Sequence, residues 1–212
     1  MQRNRPVRHW IFIAAALVAT VAPSVAADPP SDLFARMARV NANLQTYQAD
    51  MHVDIAMHTF PFISPSLDGN AYYKRPDKNA IVFKTVPALA SAFQKVYPQI
   101  PPPSEWKITY DVTPGADDGT VTTFRLVPKK NGRVDHIDAR VDDKAATVVS
   151  EQWFYKDGGS ISLAQNYETI DGNFVVQSQS GKVDLPSYKA DIKSAFSNYK
   201  LNVAVADRVF QQ

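Results

Sequence analysis

The chain has no cysteine among its 212 residues. That excludes disulfides, thiolate metal sites, cysteine nucleophiles and a lipid anchor on a cysteine. A strong charge of one sign is also missing: 23 Lys+Arg stand against 21 Asp+Glu. Nucleic-acid binding rests on phosphate neutralisation by clustered cations, so near-balance argues against it. A bilayer-spanning helix needs ~20 apolar residues, and the run from Trp10 to Ala22 is too short. There is no twin-arginine pair and no nucleophile elbow of the G-x-S-x-G type.

Residues 1–27 differ from the rest. They hold Arg3, Arg5 and Arg8 with no acid, then the apolar run, then Val25-Ala26-Ala27. A basic start, a short apolar core and a small-x-small end predict a secretory signal peptide cleaved after Ala27. Loss of those three arginines takes Lys+Arg from 23 to 20 against 21 acids, so the mature chain carries a net charge of −1. Residues 28–212 fit one domain large enough to bury a core. The expectation is a soluble periplasmic protein.

Leu33, Met37, Val40 and Leu44 recur at helical spacing, and Ser31-Asp32 can cap a helix reaching about Asn43. After Tyr47 the period becomes two. Met51, Val53, Ile55 and Met57 alternate with Asp50, His52, Asp54 and Ala56, the pattern of a half-buried strand. Residues 69–74 and 80–86 read as further strands around the Pro76-Asp77-Lys78-Asn79 turn. Pro87 opens a helix to about Tyr97, with Leu89 and Phe93 on its apolar stripe. From Trp106 onward, strand candidates at 106–113, 119–128, 133–141, 146–155, 160–170, 174–185 and 196–205 alternate with turn signals. Nine or ten strands with two helices make a mainly β, α+β domain whose antiparallel sheet must curl.

The sequence offers few candidates for chemistry. Asp50, His52, Asp54 and His58 share one face of a strand and are of the type that ligates zinc or copper. Side chains two residues apart along a strand stand roughly 7 Å apart, so one ion cannot bridge that row without ligands from elsewhere. The wet face of an amphipathic strand is the favoured reading. Asp117-Asp118-Gly119 and Gly158-Gly159-Ser160 read as turns rather than as a calcium loop or a phosphate cradle. No catalytic residue, metal or cofactor is assigned, and an enzyme is not expected. Met51, Val53, Ile55, Met57, Tyr73, Ile81, Phe83, Leu89 and Phe93 are candidates to line an apolar cavity. From periodicity alone, a plain core between sheet and helices is the favoured reading of them.

Short pieces in a fixed order resemble the periplasmic lipoprotein-carrier, or LolA-like, family. They are Ser31-Asp32-Leu33 opening an amphipathic helix, Leu44-Gln45-Thr46-Tyr47-Gln48-Ala49-Asp50-Met51, and Gly69 to Lys74-Arg75-Pro76. Phe124-Arg125-Leu126-Val127-Pro128-Lys129, Asn198 to Val203 and Asp207 to Phe210 complete the series. The resemblance implies an incomplete β-barrel covered by an N-terminal helix and a lid helix. It implies a carrier of lipoprotein acyl chains or another lipid, acting as a monomer between a transient donor at the inner membrane and an acceptor at the outer membrane. It places Arg75 at the family's lid-latching arginine. The other readings are an exported metal-binding protein or hydrolase on the Asp50/His52/Asp54/His58 face, and a lipid sensor with the same fold.

Overall fold

A computed structural model describes residues 30–58, 64–76, 78–85, 100 and 102–211. The expected leader and the 87–97 helix with Leu89 and Phe93 lie outside the described residues. So do residues 59–63.

The architecture is a ten-stranded antiparallel sheet in the order β3-β2-β1-β10-β9-β8-β7-β6-β5-β4. The strands are β1 (Thr46–Met57), β2 (Ser66–Lys74), β3 (Lys78–Phe83), β4 (Tyr110–Asp117) and β5 (Val121–Pro128). They continue with β6 (Val134–Asp142), β7 (Thr147–Tyr155), β8 (Ser160–Ile170), β9 (Asn173–Leu185) and β10 (Tyr188–Leu201). Every neighbour pair but one is a sequential hairpin. The exception joins β1 to β10, so the two ends of the fold meet mid-sheet while β3 and β4 are its free edges. Right-handed twist over so many strands forces curvature. The sheet is curled, as the strand count predicts, without closing: an incomplete barrel, as the resemblance implies.

The alternation in β1 is the clearest link from sequence to packing. Met51, Val53, Ile55 and Met57 are all buried, and Asp50, His52, Asp54 and Ala56 are exposed. Gly69, opposite Met51, lets β2 and β3 approach closely, since a Cβ there would sit 2.7 Å from the Val82 carbonyl oxygen. Helix α1 (Pro30–Met37) buries Leu33 and Met37 against this core. Its Phe34 ring packs on Trp106 and Phe124, each 6.1 Å between centroids.

Four elements differ from the sequence reading. The helix ends at Met37 and continues as turns to Asn43, because Asn41 adopts a left-handed backbone (φ 57°). Residues Trp106–Thr109 form one helical turn, α2, rather than the start of a strand, and this tucks Trp106 fully inside. β4 then runs through Pro114-Gly115, a turn signal in the gap between the strand candidates 106–113 and 119–128; proline is tolerated there because β4 is an edge strand. Similarly, β10 begins at Tyr188 rather than Phe196. Its buried Ala190, Ile192 and Ser194 alternate with Lys189, Asp191 and Lys193, and this charge-rich stretch hid the strand.

Candidate functional site

The concave side of the sheet encloses a cavity of about 220 Å³. Its apolar lining includes Ala71 and Ile81 from β2 and β3, Leu163 from β8 and Phe196 from β10. Ile100 and the Pro102-Pro103 step border it on the helix side, and Tyr47 stands at one end. Polar side chains are interleaved with these: Glu151, Gln165, Tyr167 and Gln179. A second, larger recess of about 440 Å³ lies at the far side, bounded by Ile108, Trp153 and the cations Lys129, Lys130 and Arg133. The first is the candidate site, because the sheet's own curvature forms it.

Of the residues expected to line a cavity, Ile81 does so. Met51, Val53, Ile55 and Met57 sit in the close-packed core, and Phe83 packs half-buried against it. Tyr73 lines a neighbouring crevice of about 120 Å³, shared with Tyr47, Arg75, Met37 and Leu44. There Tyr47 stacks on Tyr73 at 5.5 Å and meets Tyr199 edge-on at 5.5 Å.

Arg75 follows the last residue of β2, and its backbone N–H donates to the Gln45 carbonyl at 2.8 Å. Its guanidinium reaches over the chain that follows α1. Nε donates to the Leu44 carbonyl at 3.1 Å, and Nη2 donates to the Asn41 carbonyl at 2.8 Å. A planar fork with several donors suits such a double contact; an ammonium does not. Sequence reasoning missed the other half of this clamp. The Asn41 side chain donates to the Phe174 carbonyl at 2.7 Å and accepts from the Phe174 N–H at 2.8 Å. The segment after α1 is thus tied to β2 through Arg75 and to β9 through Asn41. An asparagine placed just beyond an amphipathic helix was the signal for it, since Asn tolerates the left-handed region.

Polar groups inside the cavity are mostly satisfied. Gln179 donates to Gln165 at 3.0 Å, and Gln165 donates to the Val148 carbonyl at 2.7 Å. The Tyr167 hydroxyl donates to the same carbonyl at 2.7 Å. Burial holds the Tyr167 and Tyr199 phenols far above the usual tyrosine range, so both stay protonated. Glu151 differs. It is 8 % exposed, and its hydrogen bond among the described residues comes from Trp153 Nε1 at 3.1 Å. Burial pushes its carboxyl up to about 7, while the Trp153 bond pulls the other way.

The Asp50/His52/Asp54/His58 face breaks into exposed pairs. His52 Nδ1 meets Asp68 at 2.7 Å, Asp54 takes a hydrogen bond from Ser66, and Asp50 accepts from Asn70 and Asn198. His58 bonds Asp191 at 3.0 Å, across the sheet. Among the described residues, no three His, Asp or Glu side chains converge on a point where a metal could sit.

No protein-family model matches the sequence, and no curated protein matches it significantly. Solved structures do match. A DUF1329 family protein from Desulfovibrio piger superposes with a TM-score of 0.63 at 16 % identity, covering 84 % of this chain and 94 % of its own. A LolA superfamily protein from Nitrosomonas europaea gives 0.61 at 11 % identity, over 86 % and 97 % of the two chains. An outer membrane lipoprotein-sorting protein domain from Vibrio parahaemolyticus gives 0.58 at 11 %, over 84 % and 94 %. At these identities the likeness is one of architecture: the half-barrel and its order of strands are the LolA-like fold.

Proposed function

We propose that this chain is a periplasmic lipid carrier. It takes up the acyl part of a lipoprotein or another lipid in the concave cavity and delivers it towards the outer membrane, with no chemical step. The observation that carries the reading is the joined geometry of cavity and clamp. A recess lined by both apolar and polar side chains lies inside an open-edged sheet, and the segment after α1 is held over the neighbouring crevice by Arg75. The N-terminal leader expected from residues 1–27 supports export, and the LolA-like fold supports the cargo class.

Burying an acyl chain yields about 0.8 kcal/mol per methylene, so a 16-carbon chain has on the order of 12 kcal/mol available. Ordinary ligand pockets measure about 300–1,000 Å³. The cavity here, at about 220 Å³, is smaller, so uptake requires the sheet and its cover to part. Arg75 is then the latch. Its bonds stabilise the closed form and break when the segment after α1 lifts away.

Purified mature protein should bind a fluorescent 16-carbon fatty-acyl probe at one per chain and pass it to acceptor vesicles. Arg75→Leu should fold, still take up the probe, and change its transfer rate. Hydrogen bonds from a charged group contribute roughly 1.5–3 kcal/mol, about a ten- to hundred-fold shift in the open–closed balance. Arg75→Lys should resemble the Leu variant. Absence of saturable probe binding refutes the carrier. Unchanged transfer in both variants refutes the latch.

A further inference from the structure

One belt of paired residues crosses seven strands on the concave side. It runs Phe124, Ala139, Glu151, Leu163, Gly181, Ile192, Ile55, each directly opposite the next in the antiparallel ladders. All but Glu151 lack a polar side-chain atom. Gly181 makes room for the Leu163 side chain, whose Cδ2 lies 2.6 Å from where a Cβ would stand. A carboxyl in the middle of this belt is chemically out of place. Its neighbours in the belt are Ala139 and Leu163, and its partner on β7 is the Trp153 indole, bonded to one carboxyl oxygen.

Among the described residues, no Lys, Arg or His forms an ion pair with Glu151. The charged Asp138 and Arg140 of β6, Lys182 of β9 and Asp191 of β10 occupy alternate positions, on the opposite face of the sheet. Among the described residues, the titratable groups that sense Glu151 are the phenols of Tyr110 on β4 and Tyr167 on β8. Burial raises both above the normal tyrosine range, so they are neutral near pH 7.

We propose that Glu151 is the head-group subsite of the cavity, and that it takes a protonated primary amine carried on an aliphatic chain. This rests on the carrier reading above and deepens it. An ionised carboxylate in an apolar belt is costly unless a cation sits against it. An ammonium supplies that charge and a donor to the oxygen Trp153 leaves open. Its chain lies along Leu163, Ile81 and Phe196. Glu151 titrates at about 7 in the absence of ligand, and an ammonium beside it holds it ionised. Binding therefore releases a proton, and amine affinity should be about ten-fold weaker at pH 6 than at pH 8.

The test is calorimetric titration of the mature protein with decylamine, 1-decanol and decanoate, below their micelle concentrations. The wild type should bind decylamine at least ten-fold more tightly than decanol at pH 8, with the gap closing towards pH 5.5. Glu151→Gln keeps an acceptor for Trp153 and should bind the two alike at every pH. Lysophosphatidylethanolamine that competes with decylamine assigns the amine to a phospholipid head group. Failure to compete assigns it to a simple aliphatic amine, and the subsite stands in both cases. Equal affinity of the wild type for decylamine and decanol at pH 8, or a preference that survives in Glu151→Gln, overturns the subsite and leaves the carrier reading in place. No binding of any of the three ligands, with the acyl probe also unbound, overturns both.

Discussion

A buried acid with no counter-charge among the described residues should make this protein less stable as the pH rises. The carboxyl of Glu151 titrates at about 7 in the folded chain and near 4.5 when free. Its folded value is raised, so the folded state binds the extra proton. Below pH 4.5 both states are protonated and the site costs nothing. Between 4.5 and 7 the unfolded chain ionises first, and stability falls. Above 7 the loss levels off at roughly 3 kcal/mol, from about 1.4 kcal/mol for each pH unit of difference. Glu151→Gln removes this term and retains an acceptor for Trp153 Nε1. The new amide's unpaired N–H groups cost about 1–3 kcal/mol, equally at all pH values. The diagnostic is therefore the change with pH in the gap between variant and wild type. Every other titrating group is common to both and drops out. Urea unfolding followed by tryptophan fluorescence measures this gap. Between pH 4 and pH 8 it should move by roughly 3 kcal/mol in favour of Gln, or about 1–3 M in midpoint with ordinary urea slopes. A gap independent of pH would mean that Glu151 is solvated or paired in solution, and the cost assigned to it here would be wrong.

Two other substitutions probe the clamp and the outer face. Asn41→Ala removes both bonds to Phe174 and forces alanine into a left-handed backbone, and should cost about 2–3 kcal/mol in urea unfolding. Asn41→Gly keeps that backbone and should cost less; equal losses would put the whole effect on the side-chain bonds. For His52, the bond to Asp68 and the nearby Asp54 favour the charged ring, so its titration by NMR should lie above 6.5 and fall in Asp68→Asn. The stabilisation from this pair is present below pH 6.5 and fades as pH rises through the folded midpoint. His52→Gln with His58→Gln should change stability at pH 7.5 by no more than ~0.5 kcal/mol; a larger loss, or zinc bound to the wild type and lost in the variant, would restore the metal reading.

Much of the sheet is legible because its signals are local. β1 declares itself by strict alternation, and every odd position from Met51 to Met57 is buried. Hairpins at Lys156-Asp157-Gly158-Gly159 and Asp171-Gly172-Asn173 fall where turn residues cluster, with Gly158, Gly159, Gly172 and Asp171 at positive φ. Errors came where a long-range partner decides. Pro114 reads locally as a breaker, because nothing local says that β4 is an edge. The first half of β10 carries as many charges as a loop; its pairing with β1 and β9, and the burial of Ala190 and Ile192, make it a strand. Arg75 stood out only through a short resemblance, and its contacts with Asn41 and Leu44 cross more than thirty residues of chain.

Glu151 shows why the most informative residue in the cavity left no trace in periodicity. Within β7, Glu151, Trp153 and Tyr155 share one parity, which alone would flag an acid on an apolar face. The buried residues before it are Thr147 and Val148, and Val148 has the other parity. The pairing with β6 slips between Arg140 and Val141, so one residue of β7 is extra there, and the alternation changes phase just upstream of Glu151. Such a bulge re-aims side chains and cannot be located from one strand alone. Read without it, Glu151 falls into an irregular run of Val, Ser and Gln with no clear face. Read with it, the residue takes its place between Ala139 and Leu163, in a belt with no other charge. The register shift that hides the acid from the sequence is also what turns it into the cavity. Deleting Val149 takes out the extra residue and still leaves Ser150 opposite Arg140 and Glu151 opposite Ala139, so that variant should keep both the pH-dependent loss of stability and the amine preference; loss of either would mean that the ladder had slipped and carried Glu151 to the outer face.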